Sequence, residues 1–192
     1  EVSLCNFCHL SRGNNWISKL QKYWNAVSHF AQKTIEDSKK KGKDIPKKSV
    51  TEFIIEIAHH SFEIHDFQTA SALTLGISGC RKLPKISKHS QLKLDTLKDK
   101  FSLAFNNENL RNEIKTLEMH NLIYVPYLPL ISKEIELIHH GNPDVIDFKI
   151  NEEKLKLLNR VFEHFLNIQS RIVEKNIART DILFELRDSE LS

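Results

Sequence analysis

The sequence predicts an all-α fold built as a single helical domain. Three observations carry that expectation. Apolar residues recur at steps of three and four along most of the 192 residues, the period of a helix face. Glycine is scarce, with five in the chain, too few for an all-β fold with many tight turns. Strand-like alternation is weak everywhere, with Leu122 to Val125 as the only extended candidate.

The elements follow in order. Trp16, Leu20, Trp24, Val27, Phe30, Ala31 and Ile35 fall on one helical face. That helix should stop in Lys39–Lys48, where Gly42 and Pro46 break it and clustered lysines repel one another. Ser49-Val50-Thr51-Glu52 reads as a capping box, with glutamate three residues after serine. Phe53, Ile54, Ile57, Ala58 and Phe62 then form the next face. Asp66 can cap a short helix carrying Phe67, Ala70, Leu73 and Ile77, closed by Gly79. Leu92, Leu94, Leu97, Phe101, Leu103, Ala104 and Phe105 suggest a further helix, and Leu110, Ile114 and Leu117 another. Asn151 caps a long helix carrying Leu155, Leu158, Val161, Phe162, Phe165 and Ile168. Ile182 to Leu186 gives a last short one. No internal repeat, sustained heptad or composition break marks a second domain.

Composition narrows the function. Lys and Arg total 28 against 25 Asp and Glu, a formal charge of +3, so an obligate nucleic-acid binder is not expected. No stretch approaches 18 uncharged apolar residues, so no membrane span is expected. Nor does a leader with a basic start and an apolar middle open the chain. The three cysteines, Cys5, Cys8 and Cys80, read as free thiols in a reducing compartment.

Few motifs point to bond chemistry. Cys5-Asn6-Phe7-Cys8-His9 matches the CxxCH pattern of c-type haem attachment. Haem attachment also needs export and usually a distal ligand, and Met119 is the only methionine. Zinc on Cys5, Cys8 and His9 lacks a clear fourth ligand. The pairs His59-His60 and His139-His140 are not in HExxH spacing. No phosphate-binding glycine loop and no nucleophile elbow occurs. The expectation is a protein with no cofactor and no metal of its own. The lysines of Lys39–Lys48 are enough for weak contact with an anionic membrane.

One stretch stands out. Pro126 and Pro129 bracket the start of a helix through Leu130-Ile131-Ser132-Lys133-Glu134-Ile135-Glu136-Leu137-Ile138-His139-His140, and Gly141-Asn142-Pro143 ends it. Its polar face carries Lys133, Glu136 and His140, the last two being neighbours four residues apart. A helix held between prolines and a GNP turn is a rigid projection, suited to prying apart a partner's surface.

The chain resembles the catalytic domain of Ras-type guanine nucleotide exchange factors. Four segments in matching order and spacing carry the resemblance. Phe53 to Gln68 resembles the family segment that runs from FI-x-IA to NFN, and Leu75 to Leu83 resembles the segment after it. Ile123-Tyr124-Val125-Pro126-Tyr127-Leu128 is similar to the family's PCxPF stretch, and His140-Gly141-Asn142-Pro143-Asp144 to its EGNPD turn. Upstream, Lys22 to Phe30 resembles a family helix, so the likeness runs from about Trp16 to Gln169. Residues 1–15 read as an N-terminal extension that is part of the domain, and residues 16–192 as the catalytic-type domain.

The resemblance implies an all-α domain with a protruding helical hairpin, a cytoplasmic place and a Ras-like small GTPase as partner. In the family, the hairpin enters the GTPase between its two switches. One hairpin residue blocks the magnesium site, a carboxylate disturbs the phosphate site, and the body holds the second switch. Carried over, the catalytic positions are Glu136, His140 and Asn142. GTPase contacts fall on Asp66, Phe67, Gln68, Tyr127, Lys133 and His139. The expected activity is nucleotide exchange that expels Mg²⁺ and GDP without covalent chemistry. The departures are specific. His140 stands where the family has its hairpin glutamate, Glu136 where it has an apolar residue, Pro129 where it has glycine, and Asp66-Phe67-Gln68 replaces NFN. Glu136 then competes for magnesium or repels phosphate, while a neutral His140 occupies the phosphate site sterically. The alternative is an exchange-inactive adaptor on the same fold that binds a small GTPase or another signalling protein.

Overall fold

The computed structural model describes residues 15–38, 47–102 and 107–174. Among them the order is α1 (Asn15–Ser38), α2 (Lys47–Glu63), α3 (Phe67–Ser78), α4 (Lys88–Lys100), α5 (Glu108–Met119) and α6 (Leu128–Gly141). The two-residue strands β1 (Val145–Ile146) and β2 (Lys149–Ile150) follow, then α7 (Glu152–Glu174). The all-α expectation holds, the strands being a small turn ornament between α6 and α7.

Three apolar clusters organise the molecule. In the first, Ala31 and Ile35 of α1 meet Ile54, Ile55 and Ala58 of α2, Leu73 and Ile77 of α3, and Leu94 and Leu97 of α4. In the second, Phe67 packs with Leu110 and Leu117 of α5, Tyr124, Leu130 of α6 and Ile168 of α7. Phe62 and Phe101 border both clusters and join them, with ring centroids 5.9 Å apart. The third belongs to the hairpin alone. Ile135 of α6 faces Leu158 of α7, flanked by Ile131, Ile138, Val161 and Phe162 of the same two helices.

Several local features follow from sequence chemistry. Asp66 caps α3, its carboxylate accepting from Thr69 N at 3.0 Å. Ser87 caps α4 by accepting from Ser90 N at 3.3 Å. Asn151 caps α7, its Oδ1 accepting from Lys154 N at 3.1 Å. Gly76 permits α1 and α3 to touch, because a Cβ there would lie 2.2 Å from the carbonyl oxygen of Ser28. Trp24 Nε1 donates to Ser71 Oγ at 3.0 Å across the same contact.

Other expectations are corrected. Helix α2 begins at Lys47, so Ser49 lies inside it rather than capping it. Glu52 also reaches across to the cap of α4, its carboxylate accepting from Ser87 N at 2.6 Å. Phe30 and Phe53, placed on the apolar faces by spacing, are 64% and 65% exposed, whereas Ala31 and Ile55 are fully buried. The face of each helix is rotated toward its smaller apolar residues. Gly79 ends α3 with φ −73°, right-handed rather than left-handed, so its lack of a side chain is not used for a positive φ. Leu122–Val125 does not form a strand. It makes a single parallel bridge between Val125 and Asp66. Helix α4 ends at Lys100. Leu103 to Phe105, Ile182 to Leu186, the Cys5–His9 motif and residues 39–46 of the lysine run lie outside the described residues.

Candidate functional site: the α6–α7 hairpin

The hairpin starts from a pinned base. Val125 N donates to His65 O at 2.9 Å, and Phe67 N donates to Val125 O at 3.2 Å. These bonds hold the approach to α6 against the α2–α3 junction. Pro129 sits in the first turn of α6, where a missing N–H costs nothing. Gln68 supplies the next restraint, its Oε1 accepting from Leu128 N at 3.0 Å. That bond satisfies one of the donors a helix start leaves unpaired.

This geometry revises part of the expected contact set. Phe67 is fully buried between Phe62 and Tyr124, at centroid distances of 5.3 and 5.9 Å, and has no surface to offer a partner. Gln68 is buried too and is engaged with α6. Asp66 is engaged as a helix cap. Phe67 and Gln68, expected to contact a partner, are thus seen here seating the base of the hairpin. Tyr127 is half-buried, edge-on to Phe101 at 5.8 Å. Burial pushes its hydroxyl pKa above the ordinary tyrosine value.

Above the base, α6 leaves the body. At 1.5 Å per residue, His140 lies about 18 Å along the axis from Leu128. Glu136, Leu137, His139 and His140 are exposed, and Lys133 is half-buried. The rings of His139 and His140 meet edge-on at 5.3 Å. Glu136 and His140 thus share an outward face, as the spacing requires. The base residues 66–68 and this face are separated by more than two helical turns, so the structure does not gather them into one cluster.

A second set of contacts sets the hairpin against α5. Arg111 Nη1 lies 3.3 Å from Glu134 Oε2. Tyr124 donates from its hydroxyl to Glu118 Oε1 at 2.8 Å, and His164 Nε2 of α7 lies 2.9 Å from that hydroxyl. Between these two bridges is a cavity of about 380 Å³, bordered by Ile114, Tyr127, Leu130, Ile131 and Val161.

The tip is tightly tied. Asn142 Nδ2 donates to Ile138 O at 2.9 Å, so the asparagine expected to be catalytic closes the end of α6. Asn151 Nδ2 donates to Pro143 O at 2.9 Å. Lys154, buried on α7, donates to His139 O and Asn142 O, each at 2.8 Å, and to Asp144 Oδ1 at 2.6 Å. That hydrogen bond, and then the charge itself, holds the Asp144 carboxyl below its ordinary value. Beyond the turn, β1 and β2 pair Val145 with Ile150. Asp147 and Phe148 both have positive φ, 49° and 62°, the primed turn that suits a two-residue hairpin. Phe148 is 103% exposed at its apex.

The sequence offered one sign of Lys154. A lysine in the first turn of a helix stands against that helix's own dipole, which invites the question of what else it neutralises. Arg111 and Glu134 gave no comparable sign. Among the described residues, no group of three or more His, Cys, Asp or Glu is placed to hold a metal ion. No helix among them is long and apolar enough to cross a membrane.

An all-α body with a helical hairpin standing on a pinned base defines a class, and sequence comparison gives the family. The RasGEF domain model matches residues 4–156, and the chain belongs to that family. It is 28% identical over 161 residues to the Rap guanine nucleotide exchange factor 1 of Caenorhabditis elegans, covering 80% of this chain and 15% of that protein. It is 27% identical over 162 residues to the Ras guanine nucleotide exchange factor D of Dictyostelium discoideum, covering 79% and 24%. It is 26% identical over 136 residues to the human Rap guanine nucleotide exchange factor 6, covering 66% and 8%. The chain therefore spans about a quarter or less of the length of these relatives.

Proposed function

We propose that this chain is a guanine nucleotide exchange domain for a Ras-family small GTPase, with α6 as the wedge that opens the nucleotide site. The observation that carries the reading is the hairpin. It has an apolar core of its own in Ile135 and Leu158, and it presents Glu136 and His140 to solvent. Family membership and relatives named as Rap and Ras exchange factors support the same reading.

The physics needs no bond chemistry from this chain. A nucleotide held at picomolar affinity is bound by about 16 kcal/mol, so unaided release is slow. A factor that prefers the nucleotide-free GTPase weakens nucleotide binding by the same ratio. The largest lever is the charge that holds the phosphates, Mg²⁺ and its cradle in the partner. Glu136 brings a carboxylate to compete for that cation or repel phosphate. His140, one turn on, fills the space that the phosphate leaves. Lys133 and His139 flank them, and the exposed part of Tyr127 meets the second switch. The lysines of Lys39–Lys48 add weak attraction to an anionic leaflet, about 1 kcal/mol each, which suits a cytosolic domain meeting a membrane-bound partner.

A second reading is favoured by one observation, the histidine at 140 where the family carries an acid. It is an exchange-inactive adaptor that binds the GTPase without releasing nucleotide. Release of a fluorescent GDP analogue separates the two. Under the exchange reading, Glu136→Ala and His140→Ala each lower the release rate by about tenfold or more while binding to nucleotide-free GTPase persists. Stable binding without acceleration by the unaltered chain selects the adaptor.

A further inference from the structure

We propose that Lys154 is a positioning residue of the wedge, its buried ammonium fixing the end of α6 without touching nucleotide or partner. The inference rests on the exchange reading and adds to it the part that sets the wedge angle.

Lys154 is 4% exposed, although it lies in the first turn of α7 among the exposed Glu152, Glu153, Leu155 and Lys156. A cation there opposes the dipole of α7 but sits at the negative end of α6, where orphan carbonyls collect. The ammonium has three protons, and three oxygens receive them: His139 O, Asn142 O and Asp144 Oδ1. Two are backbone carbonyls at the end of the wedge helix, so the lysine ties one helix of the hairpin to the terminus of the other. Asn151, the cap just before α7, holds Pro143 O, and its backbone N donates to Asp144 O at 2.9 Å. The run 139–144 is thus fastened at His139, Asn142, Pro143 and Asp144 from a single face of α7.

His140 is next to one of those fixed carbonyls, and Glu136 is one turn below. Removing the ammonium leaves two buried-side acceptors unmatched, so the tip must open to water. The apolar contact of Ile135 with Leu158 stays, and the base held by Gln68 stays. Docking through the body survives, and what is lost is the placement of the tip against the phosphates. A small misplacement of a group at a reacting site costs up to about a hundredfold in rate.

The test uses the full chain and a GTPase loaded with fluorescent GDP. Lys154→Met keeps the aliphatic stem and removes the charge. The maximal release rate is expected to fall between about tenfold and about a hundredfold, with the half-saturating concentration within about threefold of the unaltered chain. Amide hydrogen exchange on the free variant is expected to rise at residues 139–144 by more than about tenfold, while α3 and α4 keep their protection. Asn151→Ala removes both the bond to Pro143 O and the acceptor for Lys154 N, so it loosens the lysine's hold on the same tip and carries the same test should the methionine variant fail to fold. An unchanged maximal rate with a raised half-saturating concentration overturns the inference, as does unchanged protection at 139–144. An unaltered chain that accelerates no GTPase overturns the exchange reading itself, a failure read before any variant is made.

Discussion

Gly76 faces the Ser28 carbonyl across the α1–α3 contact, and any side chain there needs room that does not exist. Gly76→Ala forces the helices apart, and overpacking of this kind costs about 1–3 kcal/mol. Chemical denaturation should show that loss as a lower midpoint at unchanged slope, and an unaltered midpoint would show that the helices part freely. Asp144 gives a prediction in pH. Its folded pKa is depressed by Lys154, so its contribution is present above the unfolded value of about 4 and is lost as pH falls through the folded value. Amide protection at the tip should therefore weaken on acidification below about pH 4, and Asp144→Asn should remove that pH dependence. Caps were legible at this scale because their chemistry is local. Asp66 and Asn151 each hold a backbone N–H three residues on. The bonds of Gln68 to Leu128 and of Glu52 to Ser87 were not, because their partners arrive from 60 and 35 residues away.

At the scale of elements, periodicity located the helices but misjudged their faces. The helical period admits both Phe30 and Ala31, and only the neighbour that arrives decides which is buried. Here that neighbour is α3, approaching through Gly76 close enough to favour the smaller residue. The β-turn between α6 and α7 escaped notice because Phe148 is an unusual residue for positive φ, with no glycine to announce it. The projecting helix is legible in Pro126, Pro129 and the Gly141-Asn142-Pro143 turn, whose conformational limits act at short range, while the hairpin is legible only through the family resemblance. Its separate core makes a further prediction. Leu158→Ala, truncating a buried leucine, removes about 2–5 kcal/mol of packing at that site. Hydrogen exchange should report faster opening in α6 and α7, with the cluster around Ile55, Ile77 and Leu94 retaining its protection. Uniform loss across both regions would mean that hairpin and body open as one unit.

For the whole molecule, the three clusters divide the work. The first two form a body whose shared rings, Phe62 and Phe101, bind α4 and α5 to α2 and α3. The third stiffens a lever that leaves this body at Leu130 and carries Glu136 and His140 outward. Of the residues that depart from the family pattern, Pro129, Glu136 and His140 lie on the lever, and Asp66 and Gln68 lie at its base. The central claim is that this lever opens a GTPase. Its most direct measurement is the rate of fluorescent GDP release from a panel of Ras-family GTPases with the unaltered chain added. Acceleration of at least one, lost with Glu136→Ala, is the predicted result. Rates equal to spontaneous release for every member of the panel would contradict it.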